Sequence, residues 1–168
     1  MPYFFTRSSQ DKYLKKIEIQ NKLVKKAGND MGEEAGINCD WHDNFGYEEA
    51  RRRLELESKR LKEMMDILND ASIVEIEEQD EIVKIGCTVV FYWNDDEKEL
   101  TIGGYGETEP KLGLVSYMSP IGSVLFNHRV DDFISAKING KDVEIEIIKI
   151  FPPSYKYKTI TQALNHGH

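Results

Sequence analysis

Two periods divide the chain. Up to about residue 68 apolar positions recur at three and four; from residue 73 they recur at two. In the first stretch Thr6 is placed to cap a helix, and Ile17, Val24 and Met31 recur at seven with Tyr13 and Ala27 between them. Gly28, Gly32 and Gly36 weaken this pattern, so the first helix is expected to fray or end between 28 and 37. In the second helical stretch Tyr47, Ala50, Leu54, Glu57, Leu61, Met64 and Leu68 alternate at three and four. That is an a/d seam with one polar intrusion at Glu57. Joined by a short turn, the two stretches predict an antiparallel coiled-coil hairpin. At a rise of ~1.5 Å per residue, a helix of about 26 residues spans about 40 Å, so the turn lies far from the rest of the chain.

The segments "IVEIEE", "EIVKIGCTVVFYW", "KELTIGGYG", "DFISAKI" and "KDVEIEIIKI" read as strands. "NDDEKE" (94–99) and "NGKD" (139–142) read as hairpin turns between them. "SPIGSVLFN" (119–127) reads as a short helix, with Ser119 as N-cap and Pro120 at the first helical position. The predicted fold is α+β: a coiled-coil hairpin over 1–73, then a mostly antiparallel sheet with one short helix over 74–151. Pro152–Pro153 end the last strand, and 152–168 is expected to be a mobile tail.

Charge changes this picture. The net charge is −8, unevenly spread: residues 1–71 carry 13 Lys/Arg against 14 Asp/Glu, and residues 72–168 carry 9 against 16. The first part is charged but balanced, as a solvated hairpin should be. The second would be repelled by free nucleic acid, which disfavours a general DNA binder and favours a protein partner or a metal site. There is no run of the roughly 18–20 apolar residues that a membrane span needs, and no signal-peptide pattern at the N-terminus. Cys39 and Cys87 lie in different pattern regions and read as reduced thiols of a cytoplasmic protein.

The sharpest chemistry lies in the turn. "CDWHDNFGYEEA" (39–50) sets Asp40 and Asp43 three residues apart. Two carboxylates with no internal cation repel each other, and they sit best in water or around a cation. Magnesium takes one or two protein carboxylates and fills its shell with water and phosphate oxygens. The plainer reading makes Asp43 the N-cap of the second helix. Arg51, Arg52 and Arg53 read as a solvated face balanced by Glu48, Glu49 and Glu55, or as a basic patch near an RNA 3′ end. Cys39 and His42 have a chelating spacing but no second pair. "GGYG" (103–106) lacks the setting of a phosphate loop and reads as a bend.

The arrangement resembles the bacterial GreA/GreB transcript cleavage factors over roughly residues 3–150. "VKIGCTVVF" (83–91) is similar to the family's V-x-F-G-[AS]-T-V run, and "TIGGYGETEP" (101–110) to its I-V-G-x-x-E-A-D segment. "GLVSYMSPIGSVLFNHRVDD" (113–132) resembles the family's segment built around S-P-[IL]-[AG]. In the turn Asp40, Asn44, Tyr47 and Ala50 match the family's G-D-x-x-E-N-x-x-Y-x-x-A, and Asp43 stands where the family has Glu.

The resemblance implies an FKBP-like sheet domain and a factor, not itself an enzyme, that is monomeric and cytoplasmic. Its partner would be bacterial RNA polymerase, entered by the hairpin through the secondary channel. Asp40 and Asp43 would help hold a second Mg2+ shared with the polymerase, supported by Asn44 and Tyr47. Arg51, Arg52 and Arg53 would lie near the 3′ end of backtracked RNA, which the polymerase then cleaves. Ser119, Pro120, Ile121 and Gly122 would contact the polymerase, although Ile121 serves equally well as core packing. Several departures fit a divergent member: Asp43 for Glu, Cys39 for Gly before the first acid, Asn127 for Gly, and the 152–168 tail. An inhibitor of the same architecture is the main alternative, and a prolyl isomerase or chaperone on the sheet domain is the other.

Overall fold

A computed structural model describes residues 2–37 and 45–166. Asp40, Asp43 and Asn44 lie outside them, as do Cys39 and His42. The described elements are β1 (Tyr3–Phe5), α1 (Arg7–Ile37), α2 (Phe45–Asn69), β2 (Ala71–Ile73), β3 (Thr88–Trp93), β4 (Asp96–Gly103), β5 (Leu114–Ser116), α3 (Pro120–Leu125), β6 (Phe133–Ile138), β7 (Lys141–Phe151) and α4 (Tyr157–His166). They fall into two compact units, one holding Gln10–Ser72 with the residues up to Tyr3, the other holding Phe4–Ser9 with Ile73 onward.

In the first unit α1 and α2 meet along the predicted seam. On α2 the half-buried positions include Tyr47, Ala50, Leu54, Glu57, Leu61, Met64 and Leu68, and no residue is fully buried. On α1 Tyr13 and Ala27 are buried, and Ile17, Val24 and Met31 are half-buried. The helices run antiparallel: Gln20 meets Glu57, Asp30 meets Arg53, and Glu34 lies beside Gly46. The intrusion at Glu57 has a partner, because Gln20 Nε2 donates both to its carboxylate at 2.6 Å and to its backbone carbonyl at 3.0 Å. A polar seam residue that keeps its hydrogen bonds costs little and fixes register. Helix α1 runs to Ile37, through Gly28 and Gly32.

The second unit is a five-stranded sheet in the order β5-β4-β3-β7-β6. It is mixed rather than wholly antiparallel, since β5 pairs with β4 in parallel. A three-residue strand such as "LVS" has too little alternation to be found by pattern, and a helical turn at Pro110–Leu112 brings the chain back to β4. The β6–β7 turn uses Asn139 (φ 52°) and Gly140 (φ 81°), the left-handed pair that a two-residue hairpin requires. Segment 74–78, expected as part of the strand "IVEIEE", carries no ladder. The core lies on one face of the sheet: Val83, Cys87, Val89, Phe91, Ile102, Leu125 and Ile147 have no exposed surface. Burial raises the pKa of the Cys87 thiol.

Two further sequence expectations need correction. Phe4–Ser9, assigned by pattern to the hairpin, packs in the sheet unit: Phe5 is fully buried against the Tyr105 ring at 5.0 Å, and Phe4 N–H donates to Tyr117 Oη. The 152–168 tail is not featureless. It contains α4, whose Tyr157 and Ile160 are buried in a cluster with Leu114, while Lys156 and Lys158 pair with Glu99 and Glu78. A short amphipathic helix after a double proline resembles a loop in sequence, because its apolar face holds only Tyr157, Ile160 and Leu164.

Candidate functional site

Described residues approach the acidic turn from α2. Phe45 opens the helix 77% exposed, and a Cβ added at Gly46 would lie 2.6 Å from a Glu34 carboxylate oxygen. Tyr47 is half-buried on the seam. The three arginines divide. Arg51 pairs with Glu55 at 3.2 Å one turn along, and Arg53 faces Asp30 on α1 at 3.9 Å. Arg52 is exposed and makes no ion pair among the described residues. Arg51 and Arg53 are thus paired, and Arg52 pairs with no described residue. Among the described residues no three His, Cys, Asp or Glu side chains are grouped to hold a metal ion.

The second predicted group sits at the start of α3. Ser119 caps that helix, its Oγ accepting from Gly122 N–H at 3.0 Å, and Pro120 occupies the first turn, as expected. Gly122 is required by close approach: a Cβ there would meet the Ser116 carbonyl oxygen at 2.1 Å. Ile121 packs half-buried against the core, while Pro120 is exposed. Ser119, Ile121 and Gly122 thus build the corner. The corner in turn forms one wall of a groove of about 540 Å³, whose other walls include Phe91, Trp93, Leu100 and Ile138. Nothing in the spacing of the motif pointed to Trp93 and Leu100 as its neighbours, since they come from β3 and β4.

A third constellation was missed. Glu107 is buried, yet its carboxylate accepts from Thr6 Oγ1, Gly104 N–H and Tyr157 Oη, each at 2.8 Å. Thr6 also caps α1, exchanging hydrogen bonds with Ser9. One carboxylate thereby joins the N-terminal segment, the β4–β5 connection and α4. Burial, followed by the neighbouring Glu107 charge, pushes the Tyr157 hydroxyl pKa well above its ordinary value. The only sequence signal was an acid just after "GGYG", in the segment read as a bend.

Comparison with known proteins decides the family. Residues 78–152 match the model described as transcription elongation factor, GreA/GreB, C-term. Transcription elongation factor GreA of Trichlorobacter lovleyi is 34% identical over 121 residues, covering 70% of this chain and 76% of its own. The chain belongs to the GreA/GreB family. GreA of Mycobacterium leprae is 29% identical over 158 residues, 89% of this chain and 94% of that one. The crystal structure of GreA factor homolog 1 of Thermus thermophilus aligns with 89% of this chain and 99% of its own at 21% identity, with a TM-score of 0.43. As a GreA/GreB member the chain is a transcription elongation factor. Among the described residues no helix is long and apolar enough to cross a membrane.

Proposed function

We propose that this GreA/GreB member binds bacterial RNA polymerase through the secondary channel and stimulates the polymerase's own cleavage of backtracked RNA. The observation that carries the reading is the acid pair Asp40 and Asp43, in the connection between two long antiparallel helices of a chain from this family. The donor set suits magnesium: two carboxylates leave most of a six-oxygen shell to water, polymerase and RNA phosphate. Asp40 and Asp43 would hold that Mg2+ jointly with the polymerase. The ion supplies a water of lowered pKa and a counter-charge for the cleaved phosphate. The protein is then an accessory factor of the cytoplasm and no enzyme on its own.

Around the acids Asn44 and Tyr47 support the connection, and Arg52, which pairs with no described residue, faces the RNA, with Arg51 and Arg53 paired to Glu55 and Asp30. The polymerase is held at the α3 corner, where Pro120 is the exposed member of the group and Ser119 and Gly122 shape it.

The test is RNA cleavage in a stalled, backtracked polymerase complex as magnesium is varied, for the wild type, Asp40→Asn and Asp43→Asn. Asn keeps an N-cap but not the charge. Both variants should need more magnesium while binding polymerase as the wild type does. Unchanged curves for both would sink the assignment. A wild type that slows nucleotide addition and cleaves nothing would replace it with a channel inhibitor of the same build.

A further inference from the structure

The face of the sheet turned away from its core is the least expected surface of the second unit. Register places Phe133 beside Glu146, Glu146 beside Tyr92, and Tyr92 beside Glu97, so one row crosses β6, β7, β3 and β4. Phe133 is 78% exposed and Tyr92 37%. Two residues along, Ser135 lies beside Glu144, which is hydrogen-bonded to Asn94. Phe133, Tyr92, Glu144 and Glu146 line an open groove of about 640 Å³ that also takes in Asp95. Among the described residues Asp95, Glu97, Glu144 and Glu146 make no ion pair, although Lys98 and Lys137 nearby pair with Asp96 and Asp142.

Exposed rings interleaved with unpaired carboxylates have a chemical complement. A guanidinium or ammonium is attracted to a ring face, its aliphatic stem covers the ring, and its charged end reaches the acid beside it. Nucleic acid and anionic lipid are repelled by the same carboxylates. Spacing selects the form of the partner. Glu146 and Glu144 are two residues apart on β7, about 6.7 Å at the usual rise of a strand, and side chains on one face of any extended chain repeat at that distance. β6 is also the edge of the sheet, with β7 on one side and, among the described residues, no strand on the other.

We propose that this face binds an extended segment of a protein partner bearing arginine or lysine at alternate positions, laid along β6 and β7 with its cations between Phe133, Tyr92 and the Glu144–Glu146 pair. The groove at the α3 corner is lined by Phe91, Trp93 and Ile138 from the opposite face, so the two surfaces are separate.

The test uses the full chain and a fluorescent peptide of alternating Arg and Ser, read by anisotropy. A peptide with citrulline for Arg, which keeps the shape without the charge, and spermine serve as comparisons. Wild type should bind the Arg peptide at least about tenfold more tightly than either. Phe133→Ser and Glu146→Gln should each lose most of that binding, whereas Glu48→Gln on the hairpin should lose none. Phe133→Leu, which keeps apolar surface without a ring, should fall between. Phe133 is exposed, so circular dichroism of these variants should match the wild type. Equal loss from Glu48→Gln, full binding by Phe133→Ser, spermine binding as tight as the peptide's, or no peptide binding would each overturn the proposal. Cleavage by the polymerase is a separate readout and is expected to survive Phe133→Ser.

Discussion

The hairpin and the sheet unit bury hydrophobic residues in different ways. Along α2 no residue is fully buried, and the seam is one side chain deep. In the sheet unit Phe91, Ile102, Leu125 and Ile147 have no exposed surface at all. A seam one layer deep leaves most of its residues an edge in water, so glycines at 28 and 32 and a glutamate at 57 can be carried. A closed core allows no such latitude: at Gly122 even one added carbon would strike a carbonyl oxygen. The unit bearing the acids is thus the more forgiving in sequence, and the unit with the α3 corner is the stricter.

The largest test of that contrast is a pair of truncations. Phe91→Ala should cost about 3–5 kcal/mol, in the range for a fully buried aromatic. Leu54→Ala on the half-buried seam should cost about half as much or less, because only part of its surface leaves water. Urea unfolding followed by Trp93 fluorescence in a Trp41→Phe background measures the first, and helical circular dichroism the second. Equal costs would erase the distinction.

Glu107→Ala comes next. It strands the Thr6 hydroxyl, the Gly104 N–H and the Tyr157 hydroxyl together, and a loss of about 3 kcal/mol is expected for unpaired buried groups bonded to a charge. Glu107→Gln keeps an acceptor and should cost less. A loss within about 0.5 kcal/mol, the level of a surface change, would show that the network carries no stability.

The same network has a pH signature in the sheet unit alone. Tyr157 holds its proton more tightly folded than unfolded, because burial and the Glu107 charge oppose the phenolate. Its contribution is therefore complete below the ordinary tyrosine pKa of about 10 and is lost as pH rises above it. Unfolding free energy measured from pH 8 to 11 should fall more steeply in the wild type than in Tyr157→Phe. Parallel profiles would remove Tyr157 as the cause.

The smallest effect carries the opposite sign. Gly32 lies within α1, and a Cβ there would meet nothing within 4 Å. Gly32→Ala should stabilise the hairpin by about 0.5–1 kcal/mol through helix propensity and a less disordered unfolded chain. A thermal melt by circular dichroism would show it, and a lowered melting temperature would mean that this glycine serves some purpose other than tolerance.

Pattern made some elements legible for identifiable reasons. The α2 seam repeats over several turns, so its signal accumulates, and every seam position from Tyr47 to Leu68 is half-buried as expected. The Ser119–Pro120 start of α3 and the Asn139–Gly140 turn were readable because each depends on a local backbone requirement that few residues meet. The parallel β5 and α4 were not readable. Three strand residues and the apolar face of one short helix are too short to show a period. Of the site residues, the capping role of Ser119 and the seam position of Tyr47 could be foreseen; the split between Arg52 and its neighbours could not, since Arg53 is balanced by Asp30 from the other helix.

By itself, then, the sequence determined what depends on neighbours along the chain: two helices with a common seam, the hairpin turn between β6 and β7, the cap of α3, the placing of two acids between the helices, and the motifs that resemble one family. Those follow from backbone preference and from the period of apolar side chains, which act over a few residues. Only the tertiary structure decided that Thr6, Glu107 and Tyr157 share one buried carboxylate, that Phe4–Ser9 belongs with the sheet, and that Phe133, Glu146, Tyr92 and Glu97 form one row. These join residues distant in the chain, Thr6 to Glu107 across 101 positions and Phe4 to Tyr117 across 113. Their contact comes from strand register and packing of the whole unit, which no local period encodes.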